Sequence, residues 1–384
     1  MRICHILETA GGGSGQIVLD LITGGLRLGD DISVIYSPVR AEAGFVEALK
    51  AYGDKIKIIA LPMHRHITPL DIVSAVRLHG ILRKYGPFDI VNSHSSKAGA
   101  LARIAGIFLP GCKQVYTPHA FITMAPDAPM FYGIIERMLS LFSDLIICTS
   151  EQEKRHARLQ LRIDDRKLRV VNNGVHLHYP ADRLSARARI RSNEGDFVLG
   201  FVGRLVAQKN PMRLVQAFAV MAPHYPQLRL AIVGAGQLRE ELGQFVDAHG
   251  LGARVAFMGS ENGREIMPGF DALVCSSDYE SFGLVILEAM AAGVPVVSTR
   301  VGVAEDAIVN AEAGYLSQDF SATALAQAIT QLLVCTDARR AEMGQYALSQ
   351  AERFSIERMA QETKAIYEEL VPAAQQQRLL NPVT

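Results

Sequence analysis

Hydrophobic and polar positions along the chain follow two alternating periods. Short apolar runs of strand length are separated by longer segments in which apolar residues recur with a helical period. This alternation is typical of parallel sheets joined by right-handed crossovers. In the first half it predicts strands at Arg2–Leu7, Ile32–Tyr36, Ile56–Leu61, Ile90–Asn92, Val115–Thr117, Asp144–Thr149 and Leu168–Val171. It predicts helices between them at Gln16–Leu28, Leu70–Tyr85, Lys97–Phe108 and Tyr132–Phe142.

A second series of the same kind follows a polar, charge-mixed segment, Pro180–Asp196. Its strands are predicted at Phe197–Val202, Leu228–Val233, Arg254–Met258, Ala272–Cys275 and Val294–Thr299. The charged segment is interpreted as a linker, so we expect an N-terminal domain of residues 1–180 and a second domain of residues 181–354. Charges on one face of Ser355–Leu370 predict an amphipathic helix within residues 355–372, and residues 373–384 are expected to form a loose tail.

The predicted fold is therefore α/β, with two Rossmann-like, doubly wound domains in tandem. Such domains bind ligands at the carboxyl ends of their strands, and a pair of them leaves a cleft. The 39 basic and 39 acidic side chains cancel, which argues against a general nucleic-acid binder. The five scattered cysteines fit reduced thiols in a cytoplasm. Neither a signal peptide nor an apolar stretch of about 20 residues is recognisable, so any membrane contact is expected to be peripheral.

One segment of the second half, Ser277–Pro295, combines a polar loop with a short and almost wholly apolar helix. Such a helix should be buried, so the carboxylate of Glu288 on it needs a partner, for which ligand hydroxyls are a candidate. Glu280 precedes the helix, where the amides of Phe282, Gly283 and Leu284 are expected to attract an anion. These features suggest a site for a sugar attached to phosphate.

A second loop, Gly203–Pro211, follows a predicted strand and enters a helix. Arg204 lies at the carboxyl end of that strand, and Lys209 lies close to the start of the helix. Two cations in these places can neutralise a diphosphate leaving group, one as a planar fork and the other as a point charge. The alternative is a solvated loop with surface cations.

The two segments together resemble a known family. The motif Gly-Arg-Leu-x-x-x-Lys-Asn-Pro at 203–211, followed by Glu-x-Phe-Gly-Leu-x-x-x-Glu-Ala at 280–289, resembles the retaining glycosyltransferases of family 4. The resemblance covers almost the whole chain. It implies the GT-B fold, in which two Rossmann-like domains face a central cleft and a C-terminal helix crosses back to the N-terminal domain.

The resemblance also implies roles for single residues. Arg204 and Lys209 would bind the donor diphosphate, and Glu280 with the backbone at Phe282–Leu284 would hold the transferred sugar. The remaining donor-side residues that it implies are Gly203, Gly234, Ser281 and Glu288, the last of which would bind the nucleotide ribose.

The first half offers a glycine loop, Gly11–Gly15, between a strand and a helix, where phosphate can approach the backbone. It resembles the family's double-glycine loop, here Gly12 and Gly13. As a dinucleotide fingerprint it is poor, since Gln16 stands at the third glycine position and no acid ends the second strand. A tight strand-to-helix turn explains the loop equally well.

His119 ends a predicted strand, and in similar transferases a histidine in this place contacts the transferred sugar. A histidine satisfied by a neighbouring carbonyl is the alternative. Asn173 matches the family's Asn-Gly-Val junction and is expected to line the cleft, although Asn-Gly is also an ordinary turn pair.

The run His94-Ser95-Ser96-Lys97-Ala98-Gly99 resembles bacterial family members that build exopolysaccharide, capsule or O-antigen on a polyprenyl diphosphate. Ser95, Ser96 and Lys97 open a helix and could hold an acceptor phosphate, or Ser95 could be a simple N-cap. Nearby basic residues predict contact with an anionic membrane surface, namely Lys57, Arg65, Arg77, Arg83, Lys84, Lys97 and Arg103. The apolar stretch Phe121–Tyr132 could enter the membrane interface or cover the core.

The sequence thus predicts a retaining, metal-independent glycosyltransferase that uses a nucleotide-diphosphate sugar and a lipid-linked or saccharide acceptor. No metal site is expected, because no ligand set surrounds the His-x-His pairs. The groups expected to act in catalysis are Glu280, His119, Arg204 and Lys209. Two alternatives stay open: a nucleotide-sugar epimerase on the same fold, and an NAD-dependent oxidoreductase.

Overall fold

The structure, a computed structural model, describes residues 1–64, 68–125, 127–179, 181–308 and 311–371. The chain forms two compact units, one of Met1–Gly174 together with the segment from Ile356 on, and one of Val175–Ser355. The chain thus passes between units at Gly174–Val175, ahead of the boundary expected at Pro180. Pro180 itself and the expected loose tail, residues 373–384, lie outside the described residues.

Within the described residues, the first unit contains one parallel seven-stranded sheet in the order β3-β2-β1-β4-β5-β6-β7. The strands are β1 (Arg2–Leu7), β2 (Asp31–Tyr36), β3 (Ile56–Ala60), β4 (Ile90–His94), β5 (Lys113–Thr117), β6 (Leu145–Cys148) and β7 (Leu168–Val170). The helices are α1 (Gly12–Arg27), α2 (Ala43–Ala51), α3 (Leu70–Tyr85), α4 (Ser96–Gly106), α5 (Phe131–Leu139) and α6 (Glu151–Leu159). Helices shield both faces of the sheet, which is why its strands read as near-continuous apolar runs.

The second unit follows the same plan with a parallel sheet in the order β10-β9-β8-β11-β12-β13. Its strands are β8 (Phe197–Val202), β9 (Leu228–Val233), β10 (Val255–Gly259), β11 (Ala272–Cys275), β12 (Val296–Ser298) and β13 (Gly314–Leu316). Its helices are α7 (Arg183–Ile190), α8 (Pro211–Met221), α9 (Arg239–Ala248), α10 (Gly263–Ile266), α11 (Leu284–Ala291), α12 (Ala304–Ala307), α13 (Ala322–Leu333) and α14 (Asp337–Ala351). The prediction of two doubly wound α/β units is confirmed.

The last helix, α15 (Ile356–Leu370), belongs to the first unit and packs on α1. The two helices approach closely at Gly24, where a Cβ atom would overlap the side chain of Ala360. Lys364 forms an ion pair with Asp30, and the Tyr367 hydroxyl accepts a hydrogen bond from Asn92 Nδ2 at 2.7 Å. The predicted return of the C-terminal helix to the N-terminal domain is therefore confirmed.

Several features differ from the prediction, among them α2 and α6, which the pattern does not predict. Helix α1 begins at Gly12, because the glycines continue into the first helical turn instead of forming a separate loop. The charged stretch after Pro180 contains α7, which Asp182 caps and whose Ala186 and Ile190 are buried. The pattern does not predict β13, since three residues are too few to show a period.

Each sheet has a switch point where the strand order reverses, between β1 and β4 in the first unit and between β8 and β11 in the second. Open α/β sheets bind ligands in the crevice beyond the carboxyl ends of the strands at this point. Ligands are therefore expected at the loops after these four strands and at the starts of the helices that follow them. Of the sequence-predicted site residues, the loops contain Ser95, Gly203, Arg204, Lys209 and Glu280–Gly283, and the helix starts contain Gly12, Gly13, Ser96, Lys97 and Leu284. Asn173, Gly234, His119 and Glu288 lie elsewhere.

Candidate active site

Two loops of the second unit meet at its switch point through a buried carboxylate. Glu280, in the loop after β11, accepts hydrogen bonds at Oε1 from Lys209 Nζ at 2.5 Å and from Ser277 Oγ at 2.6 Å. The Glu280 side chain is 7% exposed, so its charge needs these partners to be tolerated there. The structure thus brings together two of the predicted residues, Lys209 and Glu280.

A second set of polar contacts fastens the same two loops. Arg213 on α8 donates to the carbonyl oxygen of Ser276 at 2.6 Å and forms an ion pair with Asp278. Asn210 caps α8 through its side chain and donates from Nδ2 to Asp278 at 3.2 Å. Sequence reasoning missed Ser277, Asp278 and Arg213, although the first two stand inside the quoted polar loop. These contacts hold the backbone of the loop that carries Lys209 against the backbone of the loop that carries Glu280.

Arg204 lies differently from Lys209. Its side chain is exposed, and its Nη2 atom lies 3.4 Å from Oε1 of Gln208, whose own amide donates to the carbonyl of Tyr279 at 3.2 Å. Arg204 is therefore linked through Gln208 to the backbone of Tyr279, the residue before Glu280. The two predicted cations are near each other in sequence but occupy unequal environments, one partly buried and one open.

The backbone before α11 is held in an unusual conformation. Gly283 is the N-cap residue of α11 and has a φ of 87°, in the left-handed region that favours glycine. The ring of Phe282 is buried, and its carbonyl oxygen accepts from the Val303 amide at 2.6 Å. Ser281, Leu284 and Glu288 are half-buried, with Glu288 in the second turn of α11.

The predicted glycines of this unit allow two backbone segments to approach. Gly234 follows β9 with a φ of 137°, and a Cβ atom there would overlap the carbonyl oxygen of Gly203. The Gly203 amide donates to Val233 at 3.0 Å. Gly203 and Gly234 are thus neighbours at the same sheet edge as Lys209.

In the first unit, His119 ends a file of three histidines. His119 Nε2 lies 3.0 Å from His94 Nδ1, and His94 Nε2 lies 3.0 Å from His5 Nδ1. Burial lowers the pKa of His5 and of His119 to about 4, and it lowers the pKa of His94 well below its ordinary value. All three rings are therefore neutral near pH 7. Sequence reasoning identified His119 but missed His5 and His94.

The predicted phosphate-binding glycines lie at the start of α1. The amide of Gly12 donates to Glu42 Oε2 at 3.1 Å, and Gly13 follows in the same turn. A carboxylate thus already stands at this helix N-terminus, where a phosphate was expected.

The predicted acceptor residues begin α4. Ser95 is the N-cap residue, but its side chain does not cap the helix, and its buried Oγ has no hydrogen-bond partner among the described residues. Lys97 is buried, with Nζ 2.5 Å from Asp71 Oδ2, so its charge is already paired. Ser96 forms a side-chain hydrogen bond with Tyr116. Asn173 is buried just beyond β7.

The predicted basic surface is smaller than the sequence suggests. Arg103 is buried, where it forms an ion pair with Glu136 at 2.9 Å and lies over the ring of Tyr116, and Lys97 is buried as described. Arg65 lies outside the described residues. Phe121 is also buried, so the start of the apolar stretch covers the core. The cations that remain exposed are Lys57, Arg77, Arg83 and Lys84.

Comparisons with known proteins identify the family. Residues 182–350 match glycosyl transferases group 1, and residues 11–179 match Glycosyltransferase Family 4. A D-inositol 3-phosphate glycosyltransferase of Corynebacterium jeikeium is 31% identical over 74% of this chain and 73% of its own length. The chain belongs to the family 4 glycosyltransferases.

This glycosyltransferase is also similar to a further curated relative and to a solved structure. The UDP-Gal:alpha-D-GlcNAc-diphosphoundecaprenol alpha-1,3-galactosyltransferase of Escherichia coli is 29% identical over 65% of this chain and 67% of its own length. The crystal structure of Anabaena Alr3699/HepE in complex with UDP and glucose has a TM-score of 0.81 and 22% identity, covering 96% of this chain and all of that one. The predicted GT-B fold of this glycosyltransferase is confirmed.

Two kinds of feature are absent from the described part of this glycosyltransferase. No described helix is long and apolar enough to cross a membrane. Among the described residues, no group of three or more His, Cys, Asp or Glu side chains is arranged to hold a metal ion.

Proposed function

We propose that this glycosyltransferase moves a sugar from a nucleotide-diphosphate donor to an acceptor hydroxyl with retention of anomeric configuration. The observation that carries the proposal is the arrangement of Lys209, Glu280 and Ser277 at the switch point of the second unit, with the exposed Arg204 linked to the same loop through Gln208. It combines cations for a leaving diphosphate with a carboxylate for sugar hydroxyls in one crevice.

Each donor-side residue has a part in this proposal. Arg204 and Lys209 stabilise the charge that grows on the diphosphate as the glycosidic bond breaks. Glu280 positions the transferred sugar, while the Phe282–Leu284 backbone adds amides at the start of α11. In the free enzyme Glu280 keeps Lys209 in place, so the cation is oriented before the donor arrives.

The remaining donor-side residues shape the surroundings. Gly203 and Gly234 let the nucleotide approach the backbone, because neither carries a Cβ atom at this sheet edge. Glu288 binds the ribose from the second turn of α11, and Ser281 adds a hydroxyl beside Glu280. In the first unit, Gly12 and Gly13 are proposed to bind phosphate at the start of α1 once Glu42 leaves Gly12, and Asn173 is proposed to take part in donor binding.

Metal independence is part of the proposal. Arg204, Lys209 and the N-terminus of α11 supply the positive potential that Mg²⁺ gives in other transferases. Assays with EDTA and with added Mg²⁺ or Mn²⁺ test this directly. We expect equal rates, and a rate that depends on added metal would refute this part alone.

For the acceptor, we propose a saccharide on polyprenyl diphosphate, used in assembling a surface polysaccharide such as exopolysaccharide or lipopolysaccharide. The name of the Escherichia coli relative describes an acceptor of this class, whereas the Corynebacterium relative is named for inositol phosphate. Both acceptors carry phosphate, which Ser95 and Ser96 are suited to bind at the start of α4. Lys97 contributes only if it leaves Asp71. His119 contacts the sugar.

An exposed apolar surface of the first unit supports a membrane-bound acceptor. Helix α4 packs against both α3 and α5, and all three present large apolar side chains to solvent. Exposed patches of this kind mark interaction sites, and the cations that remain on α3 favour an anionic lipid surface. The protein is thus proposed to act in the cytoplasm, at the inner face of the membrane. The side chains are Leu70, Ile72, Val73, Val76, Ile104, Ile107, Phe108, Met130, Phe131, Ile134, Met138, Leu141 and Phe142.

One set of assays tests the proposed function. UDP-, GDP- and ADP-sugars are incubated with the enzyme, with and without GlcNAc-diphosphoundecaprenol, and the product's anomeric configuration is determined by NMR. We expect glycosylated lipid in the retained configuration with at least one donor. A new epimer formed from donor alone would instead indicate the epimerase, and NADH binding seen by fluorescence would indicate the oxidoreductase. Transfer to inositol phosphate but not to lipid would refute the acceptor class.

A further inference from the structure

The file of three histidines runs from two neighbouring strands of the first unit, β1 and β4, to the loop after β5. His94 is paired in register with Leu7 of β1 and with Thr117 of β5. His5 stands two residues before Leu7, and His119 stands two residues after Thr117. Because side chains two residues apart on a strand share one face, His5 and His94 lie on the same face of the sheet. The file continues to His119, just beyond the end of β5, through the contact between His94 Nδ1 and His119 Nε2.

The contacts within the file link the three rings into one hydrogen-bonded unit. A neutral imidazole has one N–H and one acceptor nitrogen. His94 uses both of its nitrogens, so it donates to one neighbour and accepts from the other. The proton positions on His5, His94 and His119 are therefore coupled, and a change at one ring is passed to the next.

The surroundings keep this unit uncharged. At its inner end His5 borders a small cavity shared with Asp30, Lys364 and Tyr367, where Asp30 pairs with both Lys364 and the N-terminal ammonium. At its outer end, Glu153 is buried beside the Ala120 amide and accepts from the Thr149 amide at 2.6 Å. The charges near the file are thus neutralised by one another or, for Glu153, reduced by a pKa that burial raises to about 7.

We propose that His94 is a positioning residue for His119 in the transfer reaction. It binds Nε2 of His119 and so determines the tautomer of that ring. The backbone agrees with a constrained ring, since His119 and Ala120 both have positive φ angles, of 54° and 133°. This inference rests on the proposed function, because it assigns His119 a role beside the reacting sugar.

Two substitutions of His94 separate its two contacts. The side-chain amide of asparagine reaches the place of Nδ1, and that of glutamine reaches the place of Nε2. His94→Asn therefore keeps the bond to His119 and loses that to His5, while His94→Gln does the reverse. We expect kcat of His94→Asn within about threefold of wild type, and a loss of about tenfold or more in His94→Gln, with the donor KM unchanged in both.

A control and a second readout keep the result interpretable. His79 is another half-buried histidine, bonded through Nδ1 to the Ala105 carbonyl at 2.8 Å, and His79→Gln should leave kcat unchanged. Spectra of ¹⁵N-histidine-labelled enzyme should show the His119 tautomer preserved in His94→Asn and altered in His94→Gln. This readout needs no substrate, so it stands even if no transfer is detected and the proposed function fails.

Equal loss of kcat in the asparagine and glutamine variants, in step with their melting temperatures, would overturn the proposal. So would a His119 tautomer that neither substitution changes.

Discussion

At the scale of single residues, the buried Glu280 carboxylate determines how the site can be tested. Lys209 and Ser277 are its hydrogen-bond partners, so removing Lys209 leaves a buried charge that costs about 3–5 kcal/mol. A Lys209 variant would therefore lose stability and activity together. Arg204 is exposed and bonded only weakly to Gln208, which makes it the better probe of diphosphate binding.

We expect Arg204→Ala to raise the transfer barrier by about 3 kcal/mol, which lowers kcat on the order of 100-fold, because one charge-stabilising donor is lost. Steady-state kinetics with saturating donor measure the effect. Arg339→Ala is the matched control, since Arg339 forms an exposed ion pair with Glu342 on α14. Turnover of the Arg204 variant within threefold of wild type would contradict the assigned role.

The histidine file makes stability depend on pH. The pKa of His5 is about 4 in the folded chain against 6.5 ordinarily, so between pH 7 and pH 5 the unfolded chain binds a proton that the folded chain does not. Stability therefore falls as pH falls, by roughly 2 kcal/mol for this residue. In urea denaturation, the free energy of unfolding should fall by about 2 kcal/mol more in wild type than in His5→Asn when the pH is lowered from 7 to 5.

The opposite effect of Glu153, whose raised pKa favours folding at lower pH, is present in both proteins and cancels in the comparison. Identical pH dependence of wild type and His5→Asn would show that His5 is not held neutral.

Some of these site residues can be predicted from the sequence and others cannot, because some are marked by short motifs and others by contacts that form only on folding. Arg204, Lys209 and Glu280 stand in short motifs whose residue types already indicate charge and sugar chemistry. The pairing of Lys209 with Glu280 spans 71 positions and depends on two loops meeting, which the motifs do not show. The contact of His94 with its neighbours depends on the register of three strands, so a sequence pattern alone could identify only His119.

At the scale of elements, strands were easier to predict than helix ends. Strands buried on both faces are continuous apolar runs, and β1, β8, β9 and β11 have the predicted bounds. Helix α1 begins earlier than expected because glycines in a first turn read as loop, and α7 was hidden by its charge-rich surface. The return of α15 to α1 followed from the family resemblance and not from its amphipathic pattern, which gives no partner.

The closeness of α15 and α1 at Gly24 leads to a prediction. Gly24→Ala would place a methyl group against Ala360, and we expect a destabilisation of about 1–3 kcal/mol from overpacking. Gly80→Ala on α3 is the matched control. No described atom lies within 4 Å of the added Cβ there, so better helix propensity should stabilise it by up to about 1 kcal/mol. If the two variants had equal free energies of unfolding in urea, α1 and α15 would not be packed closely at Gly24.

At the scale of the whole molecule, balanced net charge conceals an uneven surface. The first unit exposes large apolar side chains on three adjacent helices, while those of the second unit stand on separate elements, for example Leu184 on α7 and Val220 on α8. Composition gives only the equal numbers of acidic and basic residues and not their positions. Two of the cations that the sequence assigns to the surface, Lys97 and Arg103, are buried. We therefore expect exposed apolar side chains to contribute more to membrane binding than the number of basic residues suggests.

We expect the protein to sediment with phosphatidylglycerol vesicles, and the double variant Ile72→Asp with Val76→Asp to bind about tenfold less, since two exposed apolar contacts become charged. Leu184→Asp is the control for an exposed leucine in the second unit. The protein should bind more weakly to vesicles of phosphatidylcholine alone, with a binding free energy less favourable by about 1 kcal/mol for each α3 cation that contacts the anionic surface. Binding unchanged by the double variant would place the membrane contact elsewhere.

The return of α15 to the first unit has a consequence for biosynthesis. The surface of α1 around Gly24, against which Ala360 packs, stays uncovered while the ribosome makes everything from Val175 to Ser355. The second unit is contiguous and can complete its fold first, although it is translated later. A nascent chain stalled before Ile356 should therefore expose this surface of α1 to chaperones, and release of the final helix would cover it.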